Sequence, residues 1–242
     1  MIKQYLYKKS KLLFGLVNSY IIKASTNYNA SEWWDRFFYT DGVGDNQTIS
    51  TAKSILSSKY HYCSVELIIL RHLHNKGWGT ERLSVIDIGS GAGHWIDFYR
   101  QLGAKVTGMD VSEKCAENNI DIKHGSALDI LPEKGMLHIV NAIGVMFHIV
   151  DDEEWGDTIK EVSNTLLPGG LFIVGGHFGL LNGLNVQIDQ YNQVNKRLRS
   201  KKKWIKTLRQ AGFSNIHLYH NKSYLKINDT MPENNILIAT KS

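Results

Sequence analysis

The sequence predicts an α/β protein: a doubly wound, mostly parallel sheet with helices on both faces. Three observations carry this. Val85, Ile86 and Ile88 are apolar and β-branched, and they lead into Gly89-Ser90-Gly91-Ala92-Gly93 and a helix-compatible stretch from His94, which is a buried strand, a tight turn and a helix start. Leu102-Gly103-Ala104 then stops that helix, and residues 105–110 form a second strand, giving a strand–helix–strand unit. Further short apolar runs at 120–123, 136–142 and 171–174 alternate with helical stretches.

Composition bounds the rest. The chain has 242 residues, 43% hydrophobic and 21% charged, enough for one sizeable core. A formal charge of +5 permits an anionic partner without demanding one. Cys63 and Cys115 show neither metal spacing nor a disulfide framework, so no metal site is expected and a reducing, cytoplasmic setting is compatible. Residues 1–24 set lysines around Leu12–Val17, an apolar run too short to span a bilayer and without a cleavage site after it. An amphipathic helix covering the domain is the simpler expectation, and contact with a membrane surface is the alternative.

The glycine turn is the chemical centre. Its three glycines let the main chain bend sharply and let a ligand approach it, beside the unpaired N–H groups of a helix start. A dinucleotide site wants G-x-G-x-x-G, but here His94 holds the third glycine's place, which disfavours a dehydrogenase. Asp87, two residues before the turn, suits a cationic ammonium better than a pyrophosphate. Asp110 falls 17 positions after Gly93 at the end of the second strand, where a carboxylate can accept both hydroxyls of a ribose. The run Asp87-Ile88-Gly89-Ser90-Gly91 and the Asp110-Val111-Ser112 tip resemble the first two motifs of the class I S-adenosylmethionine-dependent methyltransferases.

That resemblance covers roughly residues 60–240. It implies a Rossmann-like seven-stranded sheet, order 3-2-1-4-5-7-6 with strand 7 antiparallel, and S-adenosylmethionine as cofactor, leaving S-adenosylhomocysteine. It implies cofactor contacts at Asp87, Gly89, Ser90, Gly91, Gly93, Trp95, Asp110, Val111, Ser126, Ala127, Ala142 and Ile143. His124–Pro132 is similar to the family's adenine loop, with Ser126 where an acid is usual; a hydroxyl is a weaker, neutral partner there.

Taken in order, residues 1–58 read as a helical, aromatic extension and 59–242 as the methyltransferase-like domain. Tyr28, Trp33, Trp34, Phe37, Phe38 and Tyr39 crowd the extension, before a turn at residues 41–45. They either pack on the core or close over the ligands and exclude water; Tyr28, Trp33, Trp34 and Phe38 are the lid or substrate candidates. A helix over 62–74 buries Val65, Ile69 and Leu73. Ser112 is placed to cap the helix after the second strand. Residues 143–149 resemble the segment that follows the fourth strand in small-molecule methyltransferases. Asp151 opens a helix that sets Trp155, Ile159, Val162 and Leu166 on one face, and Leu167-Pro168-Gly169-Gly170 ends it before the fifth strand. Residues 175–200 are polar and irregular, a cover for the acceptor. Arg197, Arg199, Lys201, Lys202, Lys203 and Lys206 crowd the next helix as a solvated face or an anion patch. Residues 216–219 and 236–239 close the sheet as an antiparallel pair.

The activity this implies is methyl transfer to an oxygen or nitrogen of a small molecule. His177 and His148, both after strand ends, are the candidate bases. The alternatives are a methyltransferase acting on RNA or another polyanion through 201–206, and a non-catalytic cofactor-binding module. The Asn-Pro-Pro-Tyr type of tetrapeptide is absent and no RNA-binding module is appended, so nucleic acid is not the expected partner. The oligomeric state is left open.

Overall fold

The computed structural model describes residues 28–41, 55–79, 81–130, 135–176, 178–179, 184–187, 194–220 and 235–242. The expectations for residues 1–24, for the turn at 41–45 beyond Asp41 and for His177 lie outside them.

Helix α1 (Ala30–Asp41) and the long α2 (Ile55–Asn75) precede the first strand. Then come β1 (Ser84–Ile88), α3 (His94–Gln101), β2 (Lys105–Asp110), α4 (Glu113–Asn118), β3 (Ile122–His124), the short α5 (Ala127–Ile130) and β4 (Leu137–Ile143). Helix α6 (Asp152–Thr165), β5 (Leu166–Gly176), β6 (Leu184–Gln187), β7 (Val194–Leu198), α7 (Lys201–Gln210), β8 (Phe213–His220) and β9 (Asn235–Lys241) complete the order.

Seven strands form one sheet in the order β3-β2-β1-β4-β5-β9-β8, with β9 antiparallel to both its neighbours and the rest parallel. Once the separate β6–β7 hairpin is set aside, this is the expected order. Both faces are covered, which is why the central strands are apolar almost throughout. On one face α2 and α3 bury Val65, Ile69, Leu73, Trp95 and Tyr99 over Ile139, Leu171 and Ile173. On the other, α6 and α7 bury Trp155, Ile159, Val162, Trp204 and Leu208 over Val140, Phe172 and Val174. Helix α1 covers the β3 edge by packing Phe38 with Ile96, Cys115 and Ile122.

Four details differ from the sequence reading. Helix α2 starts at Ile55, so it runs through the 58/59 boundary. Strand β5 begins earlier than expected: Leu166 already pairs with Leu137, the register slips over Leu167–Gly170, and pairing resumes at Leu171 with Ile139. Pro168 has no N–H to give the ladder, so the turn residues become an irregularity within the strand. Ser112 is the N-cap residue of α4 but its side chain does not cap. Its hydroxyl donates to Asp35 Oδ1 of α1 at 2.6 Å, and Asp35 also accepts from Lys114 N–H at 3.4 Å. Finally, Arg197 and Arg199 precede α7, and the region read as irregular contains the β6–β7 hairpin.

Candidate active site

The carboxyl ends of β1, β2, β4 and β5, where open α/β sheets bind ligands, meet at a cavity of about 660 Å³. Its first wall is the glycine turn. Gly89, Gly91 and Gly93 take φ of +70°, +54° and +89°, a backbone that side chains rarely adopt. A Cβ on Gly89 would also lie 2.6 Å from Val145, which lines the same cavity. The turn is stitched to β2: Gly89 N–H and Ser90 N–H donate to Met109 O at 2.8 and 3.1 Å.

Asp110 locks this corner. Its Oδ2 accepts from Gly91 N–H and its Oδ1 from Ser112 N–H, both at 2.9 Å. Burial raises its pKa against the pull of those two bonds. Each oxygen keeps lone-pair capacity for a further donor. Val111, Ser126, Ala127 and Ile143 continue the wall, as do Ser90 and Trp95. The Ser126 hydroxyl donates to Asp129 Oδ2 at 2.6 Å, so towards the cavity it has only acceptor capacity.

Three residues expected at the cofactor lie behind the wall. Gly93 caps α3, and Ala142 is fully buried in the core. Asp87 is sealed beneath the turn: Asn141 Nδ2 donates to its Oδ1 at 2.7 Å, and Tyr99 hydroxyl donates to Asn141 Oδ1 at 3.3 Å. Its Oδ2 has no hydrogen-bond partner among the described residues. Burial, with some repulsion from Asp110, pushes this carboxyl up to about 7 despite the bond from Asn141. A β-strand alternates its faces, so a side chain two residues before the turn points into the core.

Two wall residues from α2 were not anticipated, His61 and Tyr62. Burial, then the nearby His94, lowers the His61 pKa to about 4. Tyr62 stacks on His94 with ring centroids 3.5 Å apart, and His94 Nε2 lies 2.7 Å from Glu66 Oε1. The available signal was the one-turn spacing of Tyr62 and Glu66 on a helix.

The far end of the cavity is aromatic. Tyr28, Trp34 and Phe38 line it from the N-terminal side, and Phe147 and His148 from the segment after β4. Trp33 is off the wall, stacked on Phe37 at 5.5 Å. His148 Nδ1 lies 2.7 Å from Asn195 O of β7, and Arg197 N–H donates to Phe147 O at 2.8 Å. Strand β7 is itself held by Asp152, whose carboxylate takes Arg197, Arg199 and Lys203 at 2.8, 2.8 and 2.9 Å. Burial opposes the Asp152 charge, but the three cations outweigh it and hold its pKa well below the carboxylate range. Arg199, 1% exposed, also donates to Ile149 O and Asp151 O and lies over the Trp155 ring. Half of the expected basic face is therefore an internal clasp.

Residues 85–170 match a family model described as a methyltransferase domain. No curated protein matches the sequence. Among solved structures, a Burkholderia thailandensis 1,6-didemethyltoxoflavin-N1-methyltransferase with bound 1,6-didemethyltoxoflavin and S-adenosylhomocysteine aligns over 90% of this chain and 93% of its own, at 14% identity and a TM-score of 0.61. A SAM-dependent methyltransferase from Archaeoglobus fulgidus aligns over 73% and 94% at 13% identity and 0.54. Another from Mesorhizobium loti aligns over 68% and 93% at 17% identity and 0.53. At these identities the likeness is one of fold.

The S-adenosylmethionine that the sequence resemblance implies suits this cavity. The turn offers main chain without side chains, and Asp110 offers anionic acceptors fixed before any ligand arrives. Among the described residues no group of three or more His, Cys, Asp or Glu could hold a metal ion, and no helix is long and apolar enough to cross a membrane.

Proposed function

We propose that this chain transfers a methyl group from S-adenosylmethionine to an oxygen or nitrogen of a small-molecule acceptor. S-adenosylmethionine is the methyl donor. The observation that carries the acceptor reading is the continuity of one cavity, from Asp110 and the glycine turn to Trp34, Phe147 and His148. A volume of about 660 Å³ falls in the range of small-molecule sites, roughly 300–1,000 Å³.

The donor supplies an electrophilic methyl group, so the protein's task is to align an acceptor and exclude water. Asp110 would take the ribose hydroxyls, with Gly89, Ser90 and Gly91 against the amino-acid half. Trp34 and Phe38 of α1 would close the acceptor side. The Burkholderia neighbour, solved with 1,6-didemethyltoxoflavin, supports a small acceptor. A polyanion is the weaker reading, because Arg197, Arg199 and Lys203 are spent on Asp152.

The test is a mass-spectrometric search of cell extract incubated with protein and S-adenosylmethionine. One or more metabolites below nucleic-acid size should gain a single methyl group. Methylated RNA with no methylated metabolite would overturn the small-molecule reading.

A further inference from the structure

We propose that the outer face of α2 is a docking surface for a second copy of this chain, the two α2 helices packing antiparallel about a two-fold axis that crosses between His61 and Tyr62. The inference stands apart from the methyl-transfer reading above.

Helix α2 is apolar on both sides. Val65, Ile69 and Leu73 are buried against the sheet, yet Leu56, Leu67 and Leu70 stand 71%, 60% and 39% exposed. With half-buried Tyr60 and exposed Cys63 they recur alternately four and three residues apart, at positions 56, 60, 63, 67 and 70. That spacing draws a narrow stripe along the helix opposite its buried face, the seam by which two helices pack on each other. A helix that is apolar all round is one covered on every side. The other exposed large apolar side chains among the described residues, Ile55 aside, stand one to a segment, at Ile120, Leu128 and Met136, and single ones need no partner. His61 and Tyr62, which line the cavity, lie on the inner side of the helix, so docking here leaves the cavity open.

Two features of the stripe select a second copy as its occupant. The stripe is complementary to itself, as a two-fold interface requires. Reversed about an axis between residues 61 and 62, Leu56 comes opposite the partner's Leu67, and Tyr60 opposite the smaller side chain of the partner's Cys63. The flank of the stripe also carries an open charge of each sign. Lys59 has no carboxylate partner among the described residues. Glu66 gives its Oε1 to His94 Nε2 at 2.7 Å and is 24% exposed, which leaves Oε2 for another donor. The same register sets Lys59 beside the partner's Glu66, and symmetry makes the pair twice. A slip of one heptad would instead set Glu66 beside the partner's Glu66, and a parallel pairing would leave Lys59 beside the partner's Ser64 and pair only Glu66, with the partner's Arg71. Exposed ion pairs add little affinity, but they fix direction and register.

The experiment is sedimentation velocity with light scattering on the full chain, from about 1 to 100 μM. A particle of twice the 27.5 kDa chain mass should form within that range. Leu67→Lys, which sets an ammonium against the partner's Leu56, should raise the dissociation constant at least about 100-fold. Lys59→Glu should raise it about 10-fold, and less at high salt. Neither side chain lines the cavity, so both variants should keep their S-adenosylhomocysteine affinity within about 2-fold, which also shows that they fold. Direction is read from a spin label at Asn75→Cys in a Cys63→Ser background. At 1.5 Å of rise per residue the antiparallel register sets the two labels about 40 Å apart, against about 10 Å for a parallel pair. A wild-type monomer at the highest concentration, a dimer that survives Leu67→Lys, or labels at the short distance would each overturn the proposal. So would a monomer whose unfolding midpoint falls in Leu67→Lys, which would mean that this chain covers its own stripe. A monomer that binds anionic lipid vesicles only with Leu67 intact would overturn it too, in favour of a membrane surface.

Discussion

The two ends of the cavity are built by different means. The end proposed for the cofactor comes from residues close in sequence, 88–95 and 110–127, and its donors are main chain: Gly89 and Ser90 N–H on Met109 O, Gly91 and Ser112 N–H on the Asp110 carboxylate. The end proposed for the acceptor gathers Trp34, Phe147, His148 and Gly176 from far apart, and a side-chain cluster, Asp152 with its three cations, holds the strand behind it. The turn tolerates few substitutions because Gly89, Gly91 and Gly93 hold a positive φ that a side chain strains. A side-chain-built site can be refitted to a new acceptor while the first end stays as it is.

The strongest way to break this contrast is Asp110→Ala. It removes a carboxylate serving two N–H groups and, by the proposal, two ribose hydroxyls. S-adenosylhomocysteine affinity should fall by about 10²–10⁴-fold, as expected for losing two charge-assisted bonds of about 1.5–3 kcal/mol each. Calorimetry giving an unchanged affinity would sink the ribose assignment.

Next is the pH behaviour of the sealed Asp87. Its carboxyl is held at about 7 against an ordinary 3.8, so the folded chain keeps a proton that the unfolded chain releases. Its contribution is complete below pH 4 and is lost as pH rises towards 7 and past it. Urea unfolding of the unliganded protein should lose on the order of 4 kcal/mol from this group between pH 4 and 8. Asp87→Asn should flatten that slope, and an identical slope in the variant would refute the assignment.

Asp152→Ala tests the other end. It leaves the buried Arg199 without its carboxylate, so stability should fall by about 2–3 kcal/mol, below the fully buried range because Asp152 is partly open to water. Acceptor turnover should fall with it, while S-adenosylhomocysteine affinity stays within about 2-fold. In the parent protein the carboxylate's low pKa makes this contribution present above about pH 4 and lost as pH falls further. The smallest effect is expected from Trp33→Ala, off the wall, where both affinities should remain within about 2-fold by calorimetry.

The same contrast explains what the sequence disclosed. Strand β1, the glycine turn and Asp110 were legible because backbone conformation restricts residue type there, and the sheet order followed from the resemblance they carry. The burial of Asp87 was not legible because a motif gives position along the chain, whereas the partners that bury it, Asn141 and Tyr99, lie on β4 and α3. Ser112 was read as a local cap because its true partner, Asp35, is 77 residues away. The basic run looked like a single face because nothing near it in sequence shows that Asp152 faces Arg197 and Arg199.

Helix α1 touches both ends at once. Trp34 stands against His148, and the next residue, Asp35, holds Ser112 two positions beyond Asp110. A tilt of this one rod is therefore felt at both pockets. Thermodynamic reciprocity then requires that whatever factor the first occupant lends the second, the second returns to the first. Inhibitor screens on this protein should accordingly be run both with and without the spent nucleoside, because that factor enters a compound's affinity in one case and not in the other.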